Sequence, residues 1–160
     1  MIASIQENLT RQIQALELLS SLLEEEFAHL CAHKPQDVSE MELSIQELMR
    51  QIAVERRSLR TIIQAAYPGK ARVHEVAQTL DADTAQTLSD KLTRMDRAEQ
   101  ICAIQADKNR QLAMGLYDQS LTLLKRLHKA IEPGKSDMYS RRGQYAKTQQ
   151  SQACMFRGGV

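Results

Sequence analysis

His29 and His33 stand four residues apart, a spacing that puts both imidazoles on one helical face and could hold a metal ion. No acidic or cysteine third ligand follows at a suitable spacing, and Cys31 lies on a different face. Imidazoles near a helix C-terminus complement the helix dipole without any ligand, which is the simpler account. His74 and His128 are isolated. A histidine phosphotransfer module carries a lysine three residues after its reactive histidine. Here those positions are Ala32, Gln36, Ala77 and Ile131. The three cysteines, Cys31, Cys102 and Cys154, are odd in number and form no CxxC, which argues against a disulfide framework or zinc site and for a reducing cytoplasm. There is no glycine-rich phosphate loop, GxSxG or HExxH. The carboxylates sit on helical faces beside lysine and arginine, as on solvated helices. No catalytic residue, metal site or cofactor is expected, and the chain reads as a non-enzyme.

Residues suited to gripping another macromolecule are concentrated at the end. Lys135 to Val160 is rich in Ser, Gln, Gly, Lys and Arg, and cannot bury enough apolar surface to fold alone. It nevertheless holds Tyr139, Tyr145 and Phe156, half of the six aromatics, beside Met138 and Met155. Such a tail folds onto a partner and uses these side chains as anchors. Plotted as a helix, Met138, Tyr145 and Phe156 form no continuous stripe, so separate anchor points are expected. Five cations against Asp137 give the tail a charge of +4 and leave −3 on the rest. With a total of +1 and no basic run, nucleic acid is not an expected partner.

The elements that must position these residues are helices. Leu, Gln, Ala, Glu, Arg and Ile dominate, Trp is absent, and three of the six glycines lie in the tail. A first helix is predicted over about 4–32, on the stripe Ile2, Ile5, Leu9, Ile13, Leu16, Leu19, Leu23, Phe27 and Leu30. Pro35 is expected to end it, with Asp37 and Glu40 as the capping box of the next helix. That second helix, about 38–66, carries Val38, Met41, Ile45, Leu48, Ile52, Leu59, Ile62 and Ala66. Glu55 occupies a seam position, where it either fixes register or marks a frayed stretch. The two stripes predict an antiparallel hairpin.

Tyr67-Pro68-Gly69 ends the second helix, and a short amphipathic helix follows at about 70–80. Asp83 and Gln86 then read as a capping box for a third long helix, about 84–131. Its seam is apolar at the ends, Leu88, Leu92 and Met95, then Leu116, Leu123 and Leu127. Its middle is thin, with Glu99, Cys102, Ala106, Asn109 and Ala113, and is expected to be more mobile. The expected architecture is therefore all-α. Residues 1–132 form an elongated antiparallel bundle of three long helices and one short one, and 133–160 a flexible basic tail. The N-terminus shows no signal peptide, and no segment nears the ~18 apolar residues of a membrane span.

The junction of the last helix and the tail carries a resemblance. Asn109, Leu112, Leu116, Leu123 and Leu124 lead into Leu127, then Glu132-Pro133, then Tyr139-Ser140-Arg141-Arg142-Gly143-Gln144. This resembles the C-terminal part of FlgN-type flagellar export chaperones. Their last helix ends in a Glu-Pro-like stop, and a Leu-Tyr-Asp or Leu-Tyr-Gly pattern precedes a Gly or Gly-Gln. Met138 stands where the pattern has Leu, and Ser140 where it has Asp or Gly. The resemblance implies a cytoplasmic, ATP-independent chaperone of the hook-associated proteins at the hook–filament junction. Such chaperones bind a substrate's C-terminal helical segment, prevent premature assembly, and deliver the complex to the flagellar type III export gate, with export ATPase components as further contacts. It implies export-gate docking by Tyr139. Substrate would be received by the helix end (Leu116, Leu123, Leu127) and the tail (Met138, Tyr145, Met155, Phe156). The alternative is a self-associating coiled-coil scaffold, and homodimerisation is left open.

Overall fold

The computed structural model describes residues 1–131, which hold four helices: α1 (Ile2–Cys31), α2 (Pro35–Ala66), α3 (Val73–Ala77) and α4 (Ala82–Ile131). Among the described residues there is no strand. The fold is all-α, with three long helices and one short one, as the apolar periodicity requires. The chain divides into two compact units, Met1–Ser120 and Leu121–Val160. Residues 82–120 of α4 belong to the first unit and 121–131 to the second.

In the first unit, α1 and α2 form an antiparallel hairpin. Ile5 and Leu9 pack with Leu59 and Ile63, whereas Leu16, Leu19 and Leu23 pack with Ile45, Leu48 and Ile52. The first cluster is closed by Val73 and Val76 of α3 and by Leu88 of α4, the second by Cys102 of α4. Lys91 donates to Thr10 at 2.5 Å, and Asn109 donates to the Leu23 carbonyl at 2.7 Å. Over this stretch α4 therefore runs parallel to α1. Each buried leucine or isoleucine contributes roughly 1.5–3 kcal/mol of transfer free energy.

Five helix boundaries, caps and seam positions differ from the sequence expectation, each for a local reason. Pro35 does not end α1 but is the first residue of α2, where its missing N–H costs nothing. The chain reverses instead at His33, whose φ is +54°. Asp37 is not a cap, because it already lies in the first turn of α2, 3.5 Å from Lys34. The start of α4 is capped by Asp81, whose carboxylate accepts the Thr84 backbone N–H at 3.0 Å; Asp83 is inside the helix and Gln86 binds Asp90. At the end of α2 the buried position is Ile63, with Ile62 half-buried, because Val73 and Val76 approach from α3. The short helix is only Val73–Ala77, held at its start by Glu75, which accepts the Ala71 and Arg72 backbone N–H groups.

Candidate partner-binding site

Three groups of side chains answer the question of what this molecule can do. The first is a polar layer between the two apolar clusters. Asn8 donates to both the backbone carbonyl (3.2 Å) and the carboxylate (2.6 Å) of Glu55. Gln12 donates to Asn8 Oδ1 at 2.6 Å, and Arg11 forks onto Glu55 with two bonds of 3.1 Å. Asn8 and Gln12 are buried. Glu55 is thus partnered rather than frayed, and it pins the register of α1 against α2. A half-buried carboxylate acceptor met by neutral and cationic donors is a structural arrangement.

The second group lies in the middle of α4. Cys102 is buried, and its thiol donates to the Leu16 carbonyl at 3.3 Å. Burial, and then the charge of Glu99, push this thiol above its usual range, which disfavours the reactive thiolate. Asn109, 3% exposed, donates to the Leu23 carbonyl and to Glu26. Glu99 pairs with Arg56 of α2. The stretch expected to be thin is therefore tied to both hairpin helices, while Ala106 and Ala113 face outward. His29 lies 3.5 Å from Asp37 and 3.7 Å from Glu25, at the turn between α1 and α2.

The third group carries the exposed apolar surface. Within the second unit, Leu123 (64% exposed), Leu124, Leu127 (60%) and Ile131 lie in successive turns of α4. The spacings 123–127 and 124–127–131 place them along one helical stripe, with Lys125, Arg126 and Lys129 at intervening positions. These leucines were expected to be a strong seam, but they are not covered by any described residue. In the first unit, Leu116 is half-buried, and Met114 and Tyr117 are exposed. Of the residues assigned from the sequence, Leu123 and Leu127 thus share an open stripe and Leu116 belongs to the other unit. Met138, Tyr139, Tyr145, Met155 and Phe156 lie outside the described residues. Among the described residues no group of three or more metal-binding side chains occurs, and no helix is long and apolar enough to cross a membrane.

Residues 1–131 are helical, their buried polar side chains are matched internally, and the end of α4 carries exposed leucines. The model of the FlgN protein family matches residues 1–147, and this chain belongs to that family of flagellar export chaperones. No curated protein and no solved structure matches the chain.

Proposed function

We propose that this chain is a cytoplasmic chaperone that binds the C-terminal helical segment of a hook-associated protein and hands it to the flagellar export gate. Family membership supports the export role. The observation that carries the binding step is the stripe Leu123, Leu127 and Ile131, each 60–65% exposed on α4. Apolar groups at three- and four-residue spacing accept an amphipathic helix, which buries them in a shared bundle. Each leucine so covered contributes roughly 1.5–3 kcal/mol before the entropic cost of association. Leu116, half-buried in the first unit, is proposed as a further receiving residue. The tail, residues 133–160, closes over the substrate with Met138, Tyr145, Met155 and Phe156, and Tyr139 docks on the gate. Covering the substrate's helix prevents it from associating prematurely.

Size-exclusion chromatography with light scattering of the full chain, mixed with each purified hook-associated protein, tests this reading. A discrete complex that is lost with Leu123→Asp/Leu127→Asp, at unchanged helicity, is the expected result. A complex unaffected by that double substitution places the binding site elsewhere. Tyr139→Ala is expected to leave the complex intact and to impair secretion.

A further inference from the structure

The hairpin carries a further apolar surface that the proposed substrate site does not use. Leu18 (53% exposed) and Leu22 of α1 face Leu43 (68% exposed) and Leu48 of α2 across a shallow groove, with Ser44, Glu47 and Gln51 along its wall. Gln51 also lines the next stretch, beside Arg11, Gln14, Ala15, Ile52 and Val54, so the groove continues for several turns along the hairpin. Leu18 and Leu43 lie off the stripes that build the core. They are surplus leucines, and neither is needed to join α1 to α2.

The surroundings of this groove are strongly polarised. Residues 17–47, the tip half of the hairpin, hold eight carboxylates and one lysine, a net charge of −7 with neutral histidines. Residues 48–72 hold six cations and one carboxylate, a net charge of +5. Helical spacing continues the apolar walls into acid: Glu25 follows Leu18 and Leu22 at three- and four-residue steps, and Glu40 and Glu47 flank Leu43 in the same way. Glu24 and Glu40 meet no cation among the described residues, whereas Glu47 is bound by Arg50 and Gln51. At the other end of the groove the cations Arg11 and Arg50 are already engaged by Glu55 and Glu47. Toward the tip the charge left without a cation is negative, and the cations Arg57 and Arg60, which meet no carboxylate among the described residues, line neither stretch of the groove.

From this we infer that the α1–α2 groove is a second docking site, whose occupant is a basic amphipathic helix of a partner protein. Its apolar face would cover Leu18, Leu22 and Leu43, adding a fourth long helix to α1, α2 and α4. Its lysines or arginines would lie over Glu25, Glu40 and the tip carboxylates. Electrostatic complementarity of this kind speeds association and sets orientation, while the leucines hold the complex. The residues of this site are different from those of the Leu123–Leu127 stripe.

The test uses the full chain and two synthetic helical peptides. Both carry leucines at a three- and four-residue repeat; one has lysines elsewhere and the other glutamates. Binding is read by fluorescence anisotropy and by backbone amide shifts. The lysine peptide is expected to bind at least about tenfold more tightly than the glutamate peptide at low salt, with the advantage shrinking as salt rises. The shifted amides are expected around Leu18, Leu22, Leu43 and Glu47. Leu43→Ser should remove binding, and Glu25→Gln/Glu40→Gln should weaken it, both with unchanged circular dichroism. Equal binding of the two peptides overturns the proposal, as does a set of shifted amides outside α1 and α2. So does a groove already occupied in the free protein, either by a second copy or by residues 132–160, that the lysine peptide does not displace.

Discussion

Asn109 and Leu123, fourteen residues apart in α4, have opposite fates. The asparagine is 3% exposed and the leucine 64% exposed. Hydropathy alone would reverse that order. Asn109 is buried because α1 offers it the Leu23 carbonyl and the Glu26 carboxylate, so its amide donors exchange water for protein acceptors at little loss. Leu123, Leu127 and Ile131 have no described neighbour to cover them, and their apolar surface stays in water. A buried polar residue and an uncovered leucine carry opposite information. The first marks where the fold is specified, and the second is where a partner helix is proposed to bind.

This contrast can be broken most severely in the apolar core. Leu16→Ala, which opens a cavity where α1, α2 and Cys102 meet, is expected to cost about 2–5 kcal/mol in chemical denaturation. Leu127→Ala should change stability by less than about 0.5 kcal/mol while weakening partner binding. Equal costs for the two would show that the α4 end is part of the core. The polar layer comes next. Asn8→Ala leaves the buried Gln12 amide without its acceptor and Glu55 without its shortest donor, and should cost about 1–3 kcal/mol. No loss of stability there would remove the register-fixing role given to this layer.

A smaller effect, and the one closest to the contrast itself, is the exchange pair. Asn109→Ala should destabilise by about 1 kcal/mol, whereas Leu123→Asn should leave the thermal midpoint nearly unchanged. The smallest effect is electrostatic and lies on the hairpin surface. The Glu47 carboxyl is held down to about 2 by its hydrogen bonds from Arg50 and then Gln51. A depressed carboxyl pKa stabilises the folded state above its usual value of 4.5 and loses that contribution as pH falls from there toward 2. Because the group is exposed, the loss is slight. Carboxyl chemical shifts followed through an acid titration should place the Glu47 midpoint well below 4.5. Arg50→Ala should return it toward 4.5; a midpoint unmoved by that substitution would assign the shift to another neighbour.

Much of the fold was legible because α1 obeys a simple rule. Ile5, Leu9, Ile13, Leu16, Leu19 and Leu23 recur at three and four residues, and all six are buried. The same rule could not place Asn8 and Gln12, whose burial depends on Glu55, forty-three or more residues away. A signal for the layer did exist, since Glu55 broke an otherwise apolar seam. The groove was missed for a related reason. Leu18, Leu22 and Leu43 lie off the core stripes, and a leucine off the seam either meets a further element or remains exposed, which periodicity alone does not decide. The helix starts were misplaced because Asp81 and Asp83, two residues apart, both have capping chemistry, and only the backbone direction selects Asp81.

The sequence by itself determined the all-helical class, the three long helices and the membership of the FlgN family, because apolar periodicity and motif spacing are local properties of the chain. The tertiary structure alone decided which face of α4 is buried, that Glu55 is paired, and that Leu18 and Leu43 border an open acidic groove. Those outcomes depend on which side chain of another helix arrives opposite, and helical periodicity carries no information about the partner it will meet.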